Sequence, residues 1–329
     1  MRQASLVVRE LSWKHVFVLL GLCCVCACAQ AQTYPARAVR IINPYVPGGS
    51  TDMVLRTLAA KLTDAWGQGV VIENKPGGGT NIGTELVAKS APDGYTLLNA
   101  TSSLAINISM YSKLPFDAQK DLTPVVMLTH SPNLLAVHPS VPAANLRELL
   151  ELARARPGAL SYGSSGNGAT NHLAMELLKS MASVSLVHIP YKGGGQALND
   201  LLGGQIQLMF NPPASLMQHA AKGRVRLLAI STAKRVEGID LPTLSEAGLP
   251  GFESTVWFGL FAPAGTPLPV IRRISESVNT ILRQADVGEQ FRAAGLVVAG
   301  GTPEELLSYF RADIARWAKV VKSSGARLD

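Results

Sequence analysis

Along most of the chain, short apolar runs alternate with longer stretches whose apolar residues return every three or four positions. Residues 39–46 are largely apolar, with Ile41 and Ile42 adjacent, and read as a strand buried on both faces. Val54, Leu55, Leu58, Ala59, Leu62 and Ala65 then recur at helical spacing up to Trp66. The same reading predicts strands over 70–74, 95–99, 124–128, 134–138, 160–162, 185–190, 206–210 and 225–231. Helices are expected over 81–90, 146–156 and 171–181, and again between Gly195 and Leu202. Near the end, Thr302-Pro303-Glu304-Glu305 joins a capping box to a proline at the first helical position. Leu306, Leu307, Phe310, Ile314, Trp317 and Val321 mark the buried face of that last helix. This order predicts an α/β protein built on mostly parallel sheets with helices on both faces. Ligands of such sheets bind beyond the carboxyl ends of the strands.

The strand-to-helix junctions are rich in glycine at those ends. Pro47-Gly48-Gly49 makes a tight turn, and Ser50, Thr51 or Asp52 can cap the helix that follows. The helix start leaves backbone N–H groups without internal partners, and the helix dipole adds partial positive charge, so the junction suits an anion. An ordinary turn whose glycines only supply positive φ would look the same at one junction. The motif returns at Pro76-Gly77-Gly78-Gly79, at 163–170 and at Tyr191-Lys192-Gly193-Gly194-Gly195, and the repetition favours the anion. Gly77-x-Gly79-x-x-x-Gly83 is one residue too long for a dinucleotide fingerprint.

The first residues stand apart from the fold. Arg2, Arg9 and Lys14 precede an apolar run over 16–28, and Ala29-Gln30-Ala31 has the form of a signal-peptidase site. Residues 1–31 are therefore expected to be an export signal, with lipid attachment at Cys28 as the alternative processing. All four cysteines (Cys23, Cys24, Cys26 and Cys28) fall in this segment, so residues 32–329 carry no disulfide and no thiol chemistry. The formal charge of +7 is spread along the chain. No Lys/Arg block interleaved with aromatics is present, which argues against a nucleic-acid partner.

Enzyme signatures are absent at the spacings their chemistry needs. Ser164 and Ser165 sit in Gly163-Ser164-Ser165-Gly166-Asn167, which is not G-x-S-x-G. The six histidines show no metal-ligand spacing, and no lysine follows a glycine loop in the Walker manner. No catalytic residue, metal or cofactor is expected.

Six blocks carry a family resemblance. They are Pro47-Gly48-Gly49-Ser50-Thr51-Asp52 with Arg56; Glu73-Asn74-Lys75-Pro76-Gly77 with Ile82-Gly83; Pro92-Asp93-Gly94-Tyr95-Thr96-Leu97; Tyr162-Gly163-Ser164 with Gly166, Gly168 and His172; Pro190-Tyr191-Lys192-Gly193-Gly194; and Trp257-Phe258-Gly259-Leu260 with Ala262-Pro263-Ala264-Gly265-Thr266-Pro267. In this order they resemble the Bug family, the extracytoplasmic solute receptors of tripartite tricarboxylate transporters. The resemblance implies a two-lobed periplasmic-binding-protein fold (type II) crossed twice by the chain. Lobe one would hold residues 32–130 and 255–329, and lobe two residues 131–254. It also implies a small organic carboxylate ligand, delivery to membrane subunits of the transporter, a periplasmic location and a monomeric receptor. A ligand-sensing role through a membrane sensor would use the same site, and an exported hydrolase is the remaining alternative.

The ligand residues implied in lobe one are Gly48, Gly49, Ser50, Asp52, Thr101 and Ser102, with ordered water bridging the first loop. In lobe two they are Ser164, Ser165, Asn167, Gly168 and Thr170, with Tyr191 and Asn211 beside them. None of these loops contains an arginine, so backbone dipoles and hydroxyls would hold the anion. Asp52 either caps its helix or meets ligand, His172 either packs or meets ligand, and Trp257 is either hinge packing or cleft wall. Many relatives carry an acidic residue where Asn211 stands, so the expected ligand lacks an ammonium group.

Overall fold

A computed structural model describes residues 34–191 and 193–324 of the chain. The expected export signal, Cys28 and Lys192 lie outside the described residues. Every described helix and strand belongs to the unit that begins at Arg37.

The first sheet opens with β1 (Val39–Asn43), α1 (Ser50–Trp66), β2 (Val70–Asn74), α2 (Asn81–Ala88), β3 (Thr96–Thr101) and α3 (Ser102–Met110). β4 (Leu122–Ser131) then runs out of it, and after Pro132 and Asn133 the chain enters a second sheet at β5 (Leu134–Val137). That sheet adds α4 (Leu146–Ala155), β6 (Ser161–Ser164), α5 (Thr170–Ala182), β7 (Val187–Pro190), α6 (Gly194–Leu202), β8 (Leu208–Asn211), α7 (Pro213–Ala221) and β9 (Arg226–Ile230). The return brings β10 (Val256–Pro263), α8 (Leu268–Leu282), α9 (Ala285–Ala293), β11 (Val297–Val298) and α10 (Pro303–Ser324) back to the first sheet.

The strand orders are β11-β4-β10-β3-β1-β2 and β7-β6-β8-β5-β9. In each sheet most strands run the same way, as expected, four of six in the first and four of five in the second, with antiparallel strands among them. β1 is parallel to β2 and β3, and β6 to β7 and β8, where a helix separates successive strands. β10 is antiparallel to β3 and β4, and β5 is antiparallel to β8 and β9. The crossings impose this. β4 leaves the first sheet and β10 returns beside it, so the two neighbours must run in opposite directions.

The two crossings are also bonded to each other. Asn133 N donates to Ser231 Oγ, Ser231 N to Asn133 O, and Ser254 N to Ser231 O, each at 2.9 Å. In the second sheet alternate residues face opposite sides. Leu135, Val137, Leu208 and Phe210 enter one apolar core, while Leu134, Ala136 and Met209 enter another. Leu173 of α5 is fully buried in the core of the first lobe, together with Trp317 and Val320 of α10.

Helix ends follow local chemistry. Glu305 N donates to Thr302 Oγ1 at 3.1 Å and Thr302 N to Glu305 Oε2 at 2.7 Å, which is the expected capping box. The buried stripe of α10 holds Leu306, Phe310, Trp317 and Val321 as expected, and also Asp313, which the apolar pattern hides.

Gly83 lies inside α2, where an Ala would ordinarily gain about 1 kcal/mol of helix propensity. A Cβ there would come to 2.9 Å from Pro44 Cβ and 3.0 Å from the Lys75 carbonyl oxygen, and the latter is backbone that cannot swing aside. Overpacking of this kind costs about 1–3 kcal/mol and wins. Gly83→Ala is expected to be less stable than the wild type in urea unfolding; a more stable variant would show that propensity governs the site.

Candidate functional site

The glycine loops fall where α/β sheets bind ligands, at the carboxyl ends of β1, β3, β6, β7 and β8. In the first lobe Gly48, Gly49 and Ser50 are exposed, and Gly48 takes a positive φ of 89°. Gly49, not one of the three polar residues after it, occupies the cap position of α1. Asp52 instead reaches back from the first turn. Its carboxylate accepts from Gly48 N at 3.1 Å, Arg56 Nε at 2.8 Å and Asn74 Nδ2 at 3.2 Å. Arg56, then Gly48 and Asn74, outweigh the opposing effect of burial and hold this acid below the ordinary carboxylate range. Both carboxylate oxygens thus have protein donors, and the residue shapes the loop. Thr101 caps α3, its Oγ1 accepting from Ser103 N and pairing with the Tyr45 hydroxyl. Ser102 is fully buried, and its hydroxyl has no partner among the described residues.

In the second lobe the loop after β6 rests on two stacked imidazoles. Ser164, also fully buried, places Oγ 2.6 Å from His188 Nε2. Gly168 N donates to His172 Nδ1 at 3.1 Å, and the two histidine rings stack with centroids 4.0 Å apart. His172 therefore packs beneath the loop. Asn167 is exposed. Tyr191 donates its hydroxyl to Asp200 at 2.6 Å, and burial followed by that carboxylate pushes its pKa up to about 12.

Asn171 ties this loop to the neighbouring strand. Its Oδ1 accepts from Ser165 N at 3.1 Å, and its Nδ2 donates to Ser165 Oγ at 3.1 Å and to the Phe210 carbonyl at 3.4 Å. Gly194 lies close by, since a Cβ there would stand 3.2 Å from both Asn211 Oδ1 and Ser165 Oγ.

A cavity of about 330 Å³ opens at this point. Ser165, Thr170 and Asn211 line it as the sequence leads one to expect, together with Asn171, Gly194 and Ser215. Asn133 and Val256, one from each crossing, close it. The starts of α5, α6 and α7 meet there at Thr170, Gly194 and Pro212, and none of the three has a side-chain cap. Among the described residues, no lining residue is ionisable. Ser164, Asn167, Gly168 and Tyr191 do not line this cavity, nor do the six residues of the first lobe. A larger cavity of about 610 Å³ has mainly apolar walls, including Met217, Val236, Ile239 and Leu296, and meets a single helix start.

The family model of the tripartite tricarboxylate transporter family receptor, TctC, matches residues 54–326. This chain belongs to that receptor family. The receptor is 38% identical over 307 residues to the BugT protein of Bordetella pertussis, covering 92% of this chain and 94% of that one. Among solved structures, it is similar to a Rhodopseudomonas palustris protein determined with adipate, at a TM-score of 0.75 and 38% identity, covering 90% of this chain and all of that one. MatC of Rhodopseudomonas palustris, with bound malate, gives a TM-score of 0.71 and 32% identity over 88% of this chain and all of that one.

These relatives are receptors, not enzymes, and the serine-histidine pair fits that role. Ser164 Oγ beside His188 Nε2 has the reach of a nucleophile and its base, but the serine is sealed from solvent and holds the loop. Asn133 and Asn171 escape a reading of the sequence. The one signal for Asn171 is an amide at a helix start directly after a serine-glycine loop.

Burial, and then His172 stacked upon it, depress the His188 pKa from 6.5 to about 4. As pH falls below 6.5 the unfolded chain takes up this proton first, so stability is lost progressively until about pH 4. The loss is on the order of 2 kcal/mol after allowance for the solvent-facing edge of the ring. Urea unfolding at pH 7 and pH 4.5 should show a smaller acid loss in His188→Gln than in the wild type. Equal losses would show that other groups set the profile.

Proposed function

We propose that the receptor captures a small organic carboxylate without an ammonium group between its two lobes and releases it unchanged to the membrane subunits of a tripartite tricarboxylate transporter. One observation carries this reading: three uncapped helix starts converge on a cavity with no ionisable side chain among the described residues. Backbone N–H groups and helix dipoles there favour an anion, and among the described residues no carboxylate lines the cavity to hold a cation. A volume near 330 Å³ suits a ligand of a few carbons, in keeping with the adipate and malate of the solved relatives.

Ser165, Thr170 and Asn211 contact the ligand from lobe two, residues 131–254. Gly48, Gly49, Ser50, Thr101 and Ser102 approach it from lobe one, residues 32–130 with 255–329. Asp52, Ser164, Asn167, Gly168 and Tyr191 shape or flank the loops. The receptor works in the periplasm as a monomer, after removal of residues 1–31.

The test is a thermal-shift screen of protein refolded from denaturant, which strips any ligand carried through purification. The panel holds citrate, C4 to C6 dicarboxylates, acidic amino acids and aromatic carboxylates. A saturable rise with one class, with the compound recovered intact, is expected. Preference for aspartate over succinate would refute the absence of an ammonium group, turnover would refute a receptor, and no shift with any carboxylate would refute the ligand class.

A further inference from the structure

Asn133 is the floor of the cavity and part of the hinge at once. It follows β4 on the first crossing, lines the cavity and is 3% exposed. Its Nδ2 has no hydrogen-bond partner among the described residues. A buried amide N–H₂ without a partner is costly, and it is retained where something else satisfies it. Its backbone, in turn, is bonded in both directions to Ser231, whose carbonyl accepts from Ser254 N, so Asn133 is fastened to the returning segment as well.

We infer that Asn133 donates its Nδ2 hydrogens to the bound carboxylate and so ties the ligand to the hinge as well as to the lobes. This rests on the carboxylate reading of the cavity. Turning Nδ2 onto a ligand oxygen breaks no existing hydrogen bond. The ligand is then held by helix starts of the second lobe and by a residue of the crossing, so the lobes cannot rotate about the hinge without straining that bond. Open and closed states therefore differ in their affinity for the ligand, which is what drives a population towards closure.

The test uses the exported chain, with malate and adipate as probes, titrated calorimetrically at pH 8 and pH 5.5. Asn133→Ala removes one charge-assisted hydrogen bond and is expected to weaken binding about 10- to 100-fold. Asn133→Asp places a carboxylate against a carboxylate and is expected to weaken binding more than 100-fold at pH 8. At pH 5.5 its buried acid takes up a proton and becomes a donor, so at least tenfold of the loss should return. The wild type should change much less between the two pH values. A residue that only packed the hinge would not give a variant whose affinity recovers in acid.

Wild-type binding with both variants within threefold of it at pH 8 overturns the assignment. An Asp variant that binds weakly at both pH values with no recovery overturns it too. If the Asp variant does not fold, Asn133→Ala decides alone, and wild-type affinity there refutes the contact. A wild type that binds no carboxylate refutes the ligand class first, and the Asn133 assignment falls with it.

Discussion

Trp257→Ala is expected to lower stability by about 4 kcal/mol, a large share of the folding free energy of an ordinary domain. Trp257 is fully buried at the start of β10, just after the return crossing. Its ring meets Phe310 and Tyr309 edge-on and Phe261 at a tilt, with centroids 6.1–6.4 Å apart. Its Nε1 donates to Asp313 Oδ2 at 2.7 Å. Truncation removes the ring contacts, opens a cavity and strips a buried acid of one donor, leaving Arg316 at 3.3 Å. Thermal unfolding should show a midpoint about 10 °C lower. A drop of only 2–3 °C would mean that the first lobe can collapse around the missing ring.

The same site gives the substitution a pH signature. Burial lifts the Asp313 pKa from 3.8 to about 6, against the pull of Trp257 and Arg316. Because the folded pKa is raised, this group costs stability at neutral pH, and the cost fades as pH falls through about 6 towards 3.8. Trp257→Phe keeps most of the ring and deletes the donor, which raises the pKa further. Its deficit relative to the wild type should therefore be larger at pH 8 than at pH 5. Equal deficits at the two pH values would place the effect in packing alone.

Asn171→Ala is expected to weaken carboxylate binding about 30-fold, close to 2 kcal/mol. One amide fixes Ser165 through both its backbone and its hydroxyl and anchors the loop to the end of β8. Ser165→Ala removes a single exposed hydroxyl and should cost less than tenfold. The difference measures preorganisation, since a loop that must be ordered by its ligand lowers the affinity it can offer. Calorimetric titration of both variants with malate checks the order. Equal losses would show that Asn171 adds nothing beyond the contact it positions.

Elements whose signals are local are legible in the sequence. The strand over 70–74 stands where its β-branched run lies, and the capping box at Thr302 and Glu305 forms as spaced. α3 is not legible, because Ser102 to Met110 is rich in Ser, Ile and Asn, residues of modest helix propensity. Six of its nine residues are buried, so tertiary packing overrides that preference. β10 does not stand out as a strand, although its Trp257-Phe258-Gly259-Leu260 block carries part of the family resemblance. The antiparallel strands β5, β10 and β11 are not legible as such for a related reason: local pattern locates a strand but carries nothing about which sheet it rejoins.

The sequence by itself determined the alternation of elements, the placing of glycine loops at strand ends, the absence of an arginine from them, and the family. All of these are written in spacing along the chain. Only the tertiary structure decided which loop residues share a cavity. Asn133, Ser165 and Asn211 are far apart in sequence and meet because the crossing and the parallel strands β6 and β8 end together. It also decided the work of Asp52, Ser164 and Trp257. A carboxylate, a hydroxyl and an indole N–H each satisfy whichever partner folding brings within reach, and that partner lies on another element for Ser164 and Trp257.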